Sequence, residues 1–225
     1  MRKGIVLAVL LCVSFTSALR AQTFQNLDFE SANVSNLPPD YEEFVSVSDG
    51  LPGWSAYIGT KQLTQVGHNA ITLGDANVGI MGPQYSFGYQ PLEGTYTAIL
   101  QAGGTQNEGA QPASIAQTGL IPVWANSLQF EARLFYTNDL TVTVGSQNTT
   151  VFPLGSGFFG CDISSFAGSV EEMRFTIGTA HGSAPCDLDA ISFAAQPIPE
   201  PSGLSLLVIG VVALGCWRVT YRKTA

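Results

Sequence analysis

Seventeen Asp and Glu residues are the most numerous chemistry-bearing groups in this 225-residue sequence, beside two His, four Cys and three Trp. Paired carboxyls could run general acid and base chemistry on glycosides if held ~5 to 9.5 Å apart, a distance that spacing alone does not fix. Glu171 and Glu172 are adjacent in a strand-like run, so they would point to opposite faces and make a poor couple. Other catalytic sets lack their parts. There is no GxSxG elbow, no HExxH and no GxxxxGKS or GxxxxGKT loop. His68 and His181 read as exposed loop residues. These residues favour a protein that is not an enzyme, with a carbohydrate-active enzyme using paired carboxylates as the alternative.

Aromatic and sulfur groups are the next candidates. Tyr85, Phe87 and Tyr89 alternate across Ser86 and Gly88, so on a strand they would share one face. Exposed, the three rings would offer a stacking platform for sugars; buried, they would be core. Trp124, just after Pro122, suits either place. Cys12 and Cys216 fall in apolar terminal runs, which leaves Cys161 and Cys186 as the pair between them. In an exported domain such a pair is expected to form a disulfide, stabilising by ~3 kcal/mol in the chain-entropy model. The other reading is two separately buried thiols.

The elements that must carry these residues read as strands. In Leu128 to Leu134 every second residue is apolar, and 94–100, 140–144, 173–177 and 188–193 are similarly β-rich. Turn residues separate these runs, and no apolar stripe at helical spacing lasts three turns. An all-β fold follows, a β-sandwich of the jelly-roll kind over residues 22–195.

Charge is segregated along the chain. All seventeen acids and only Lys61, Arg133 and Arg174 lie between residues 22 and 201; the other six bases are at the two ends. A middle that acidic excludes nucleic acid as a partner. Arg2 and Lys3, then an apolar run and small residues, have the order of a secretory signal over 1–21, removed by signal peptidase of the general secretion machinery. Leu204 to Trp217 is an uncharged apolar run of fourteen residues followed by Arg218, Arg222 and Lys223. It is short against the ~20 residues that span a bilayer, and flanking residues with snorkelling arginines extend it to a thin membrane helix. The basic flank would stay in the cytoplasm and leave the acidic middle outside.

Pro199-Glu200-Pro201, then that apolar run, then the basic end, resembles a PEP-CTERM sorting signal over 196–225. The resemblance implies recognition by an exosortase, cleavage near the motif, and a mature protein at the cell surface or in an exopolysaccharide matrix, with the membrane helix a transient anchor. A permanently anchored single-pass protein is the other outcome.

Asn26-Leu27-Asp28-Phe29-Glu30, Leu51-Pro52-Gly53-Trp54 and Leu188-Asp189-Ala190-Ile191 resemble the opening, the buried tryptophan and the closing strand of galactose-binding-like jelly rolls. Many carbohydrate-binding modules have that fold, so the resemblance implies weak binding of extracellular polysaccharide. It also implies a structural calcium held by Glu30 and Asp189; Asp187 would add a ligand if the strand is regular, since alternation then turns it to the same face as Asp189. The other reading of these carboxylates is a solvated acidic surface, and no cofactor is otherwise required.

Overall fold

The computed structural model describes residues 22–198 except 35–36, 38–42, 71, 84, 86–87, 106–108, 135–139 and 184. The signal at 1–21, the motif Pro199, Glu200 and Pro201, the apolar run and Phe87 lie outside the described residues. Among the described residues no helix is long and apolar enough to cross a membrane.

The chain is built of short strands. In order they are β1 (Glu43–Ser46), β2 (Ser55–Ile58), β3 (Lys61–Gln62), β4 (Gln65–His68), β5 (Asn77–Met81), β6 (Thr97–Gln101), β7 (Gly103–Thr105) and β8 (Gly109–Gln111). The second half supplies β9 (Ala113–Leu120), β10 (Ser127–Leu134), β11 (Leu140–Val144), β12 (Gln147–Thr149), β13 (Phe152–Gly155), β14 (Phe158–Asp162), β15 (Val170–Ile177) and β16 (Pro185–Ala194). The two large sheets have the orders β1-β4-β5-β6-β16-β10-β14-β13 and β12-β11-β15-β9-β2-β3, and β7 and β8 pair in a separate two-stranded ribbon. Only β4 and β5 pair in parallel within them. The one described α-helix is a single turn, Val47–Gly50.

Alternation decides what each strand buries. Leu128, Phe130 and Ala132 of β10 face inward, as do Met173, Phe175 and Ile177 of β15 and Leu140, Val142 and Val144 of β11. Phe130 and Phe175 meet edge to face at 5.1 Å between the two sheets. Trp54 joins them, 6.3 Å from Phe175 and 5.6 Å from Phe29. An all-β sandwich with one apolar core is the result. The β11–β12 hairpin closes through Gly145, whose φ of +60° is what a two-residue turn asks for.

Strand edges differ from the sequence reading in two places. Residues 94–96 do not belong to a strand, because Gly94 has φ of +57° and the chain turns there before β6. Within β16 the left-handed Ala190 forms a bulge, so Asp189 lies opposite Glu131 while Ser192 lies opposite Gln129. His68 is also not an exposed loop residue. It ends β4 at 4% exposure, and burial pushes its imidazole below the usual 6.5.

Candidate functional site

Trp54 and the opening segment show why the N-terminus docks where it does. Asn26 and Phe29 both have positive φ, so this segment is a turn rather than a strand. Phe29 is fully buried, Trp54 Nε1 donates to the Asn26 carbonyl at 2.9 Å, and the Ile191 N–H donates to the Leu27 carbonyl. The buried tryptophan that the resemblance implied is present at 5% exposure.

That docking brings Glu30 and Asp189 to one turn, residues 93–97. Glu30 Oε1 accepts from the Thr95 and Tyr96 N–H groups at 2.7 and 2.9 Å. A Cβ at Gly94 would push the Glu30 carboxylate aside, and φ of +57° favours glycine there. Asp189 Oδ2 accepts from Thr97 Oγ1 at 2.5 Å and from the Glu93 N–H at 3.2 Å, while Oδ1 accepts from the Ala190 N–H at 2.8 Å. Asp189 is fully buried, not a solvated surface carboxylate. Burial lifts its carboxyl to about 6 against those hydrogen bonds, with Glu93 adding to the rise.

The same outer face of the larger sheet continues to β10. Asp187, 5% exposed, accepts from Arg133 Nε at 2.7 Å, and Arg133 also donates to the Gln90 carbonyl at 3.0 Å. Burial raises the Asp187 carboxyl and Arg133 lowers it. Glu131, opposite Asp189, is raised by burial and by Glu93. Sequence reading missed Glu93 and Glu131 as neighbours of Asp189. Alternation in Leu128 to Leu134 did turn Glu131 outward, whereas its partners depend on strand order.

For calcium, this donor set presents a specific difficulty: the bound oxygens of Glu30 and Asp189 face N–H and O–H groups. Among the described residues no three His, Cys, Asp or Glu side chains gather where a metal ion could sit. A cation would have to displace those donors.

The aromatic row is not a strand face. Tyr85 is buried with Met81 and Ile99 under the loop that follows β5, and Gly88 takes φ of +77°. Tyr89 is 40% exposed, with the Arg133 guanidinium 4.9 Å from its ring centroid. Tyr85 is buried and Tyr89 half-exposed, so the two do not share one exposed face.

The disulfide is not formed. Cys161 lies opposite Leu128 on one side of β10, and Cys186 opposite Leu134 on its other side. Six residues of β10 separate them, ~20 Å at the rise of a strand, whereas a disulfide needs Cα atoms ~5.5 Å apart. Both thiols are buried, and burial pushes Cys161 up to about 11 and Cys186 higher still.

Hollows open on the surface of the described residues. One of about 310 Å³ lies on the outer face of the smaller sheet among Ser55, Tyr57, Gln117, Thr118 and Glu172. The Arg174 guanidinium covers the Tyr57 ring at 4.3 Å and is held by Glu172 and Ser114. Another, about 390 Å³, lies at the start of β16 among Thr72, Leu73, Gly74, Gln101, Ser183 and Pro185. Gln101 is 3% exposed there. Its Nε2 donates to the Thr72 carbonyl at 2.8 Å, and its buried Oε1 has no partner among the described residues.

No family model matches this chain, and no curated protein matches it. Solved structures align with it at low identity. A cyclase from Fischerella sp. TAU is 16% identical at TM-score 0.41, over 80% of this chain and 99% of that one. The family 11 carbohydrate-binding module from Clostridium thermocellum is 10% identical at TM-score 0.38, over 72% and 100%. The secreted serine protease VesC from Vibrio cholerae is 14% identical at TM-score 0.33, over 55% of this chain. The chain spans 25% of that protease and 21% of the bacteriophage CBA120 tailspike protein.

Proposed function

We propose that this chain is an exported, non-catalytic β-sandwich that is sorted through Pro199-Glu200-Pro201 and delivered to the cell surface or an exopolysaccharide matrix, where it binds polysaccharide weakly. Export rests on the order of the sequence: a signal at one end, an acidic strand-forming middle, and the motif, apolar run and basic residues at the other. Signal peptidase and an exosortase-type enzyme are the processing partners of this reading.

One observation carries the binding half. Gln101 lines a hollow whose wall mixes Thr72 and Ser183 with Leu73 and Pro185; its buried Oε1 has no partner among the described residues, and a turn of the side chain would bring that oxygen to the hollow. A lone acceptor in a desolvated wall costs stability until a donor arrives, and a sugar hydroxyl beside an apolar ring face is such a donor. Non-catalytic work is favoured by how the buried carboxylates are spent: Asp187 on Arg133, and Asp189 on the turn at 93–97.

The enzyme alternative is best served, among the described residues, by the Glu93 and Glu131 carboxylates beside Asp189. It predicts polysaccharide turnover that disappears in Glu131→Gln. A structural calcium at Glu30 and Asp189 belongs to the resemblance; the two carboxylates meet at one turn, and an ion there would have to displace the donors they already accept from.

Two measurements test the proposal. The native protein's mass under non-reducing conditions should lack both the first ~21 residues and the basic tail; retention of Met1, or of Arg222 and Lys223, overturns the sorting reading. A glycan array should show binding at millimolar sugar that Gln101→Met removes. Silence across the array would overturn polysaccharide binding.

A further inference from the structure

Both ends of the described chain converge on a single loop. The six residues from Ile121 to Asn126 connect β9 to β10, and each foot of that loop is clamped by an end of the described chain. At Leu120, the N–H donates to the Gln22 carbonyl at 2.8 Å and Thr23 forms a parallel bridge. At Asn126, the backbone N–H donates to the Ala194 carbonyl at 2.8 Å and Nδ2 to the Ala195 carbonyl at 2.6 Å. Ser127 Oγ then donates to the Gln196 carbonyl at 2.6 Å, and Ile198 is buried against Gly160 and Leu154.

The loop's tip is apolar and exposed. The Ala125 N–H donates to the Pro122 carbonyl at 3.0 Å, closing a turn whose two central residues are Val123 and Trp124. Val123 is 80% exposed and Trp124 56%, and Val170, which pairs with Leu120 at the start of β15, is 51% exposed. A solvated tip ordinarily carries Gly, Asn, Asp or Ser instead. In 118–127 and 161–170, the segments that form this end, Asp162 is the only charged residue. The hollow at Gln101 lies at the opposite end of β16.

The chain beyond this end names the occupant. Leu204, where the fourteen-residue apolar run begins, is six residues past Ile198, a reach of at most ~20 Å. If that run enters a bilayer, Ile198 is held within ~20 Å of the lipid and the loop stays tethered on the membrane side of the sandwich. Indole and branched aliphatic side chains partition into the interfacial zone of a bilayer.

We propose that the Pro122–Ala125 turn, with Val123, Trp124 and the adjacent Val170, is a membrane-docking tip that seats the sandwich on the neutral interface of the bilayer holding its C-terminal run. This rests on the reading of that run as a membrane segment. Seating is apolar, because the tip has no cation and the body carries three bases against seventeen acids. It turns the Gln101 hollow away from the lipid. The sandwich is thereby oriented while the sorting motif awaits cleavage.

The test uses the full chain in phosphatidylcholine vesicles with Trp217→Phe, which leaves Trp54 in the core and Trp124 at the tip as the only indoles. Vesicle flotation is read first, then quenching by a lipid labelled near its headgroup. The proposal expects flotation, quenching in this protein, loss of that quenching when Trp124→Phe is added, and no gain from phosphatidylserine. Flotation with equal quenching in the two proteins overturns docking and spares the membrane segment. Failure to float overturns both. Stronger quenching with phosphatidylserine overturns the apolar account of seating.

Discussion

The Thr97 hydroxyl donates to Asp189 Oδ2 over 2.5 Å and itself accepts the Leu92 N–H at 2.8 Å. This relay ties β16 to the turn before β6 with a carboxylate that water does not reach. Burial holds the Asp189 carboxyl at about 6, above its ordinary 3.8. Between those values the folded protein binds a proton that the unfolded chain has released. The contribution of Asp189 is therefore largest on the acid side and is lost as pH rises toward 6. Asp189→Asn should flatten that part of the stability profile, a change on the order of 2 kcal/mol, read from urea midpoints across the range. An unchanged profile would mean Asp189 titrates as a solvated carboxylate.

Arg133 and Asp187 make a second prediction. Removing the guanidinium leaves Asp187 buried without a countercharge, so Arg133→Ala should destabilise by about 3 kcal/mol at neutral pH. The loss should shrink in acid, where Asp187 is protonated, and adding Asp187→Asn should recover much of it. A double-mutant cycle measures the coupling, and additive effects would exclude it.

The two thiols should behave independently. Native protein should resist alkylation at Cys161 and Cys186, and both should label within the dead time once it is unfolded, with or without reductant. Cys161→Ser should cost about 1–3 kcal/mol by burying a hydroxyl whose polar neighbour is the Thr149 side chain, and should not alter the reactivity of Cys186.

Calcium offers a fourth measurement. If Glu30 and Asp189 hold the ion, millimolar calcium should raise the melting temperature of the wild-type protein and not of Glu30→Gln. If their N–H donors are the permanent partners, chelator and calcium should leave both proteins unchanged, and Glu30→Gln should still lower stability by about 1–2 kcal/mol for the weakened turn.

Trp54 gives the fifth. Trp54→Ala should cost about 3–5 kcal/mol, because it opens a cavity between Phe29 and Phe175. Trp54→Phe should cost less, about 1 kcal/mol for the bond to Asn26 plus the lost ring volume.

Much of the fold was legible because strand alternation is local. The runs at 128–134, 140–144 and 173–177 each bury the residues their pattern assigns, and the apolar Trp54 finds the core. Glu30 and Asp189 were named together from their resemblance to an opening turn and a closing strand, and they do meet at one turn. The aromatic row misled because alternation means a shared face only where the backbone is extended, and Gly88 breaks it. His68 misled because its Gly and Asn neighbours have the composition of a loop, while pairing with β1 and β5 buries it.

By itself the sequence determined the segregation of charge, the strand-forming middle and which face of each strand is apolar, because those depend on neighbours along the chain. Strand order decided the rest. It put Cys161 and Cys186 on opposite sides of β10, gave Asp189 its donors, and brought both ends of the described chain to the loop that carries Trp124. Contacts between residues far apart in the chain exist only once two sheets have closed on one core, and spacing holds no record of which strands will lie side by side.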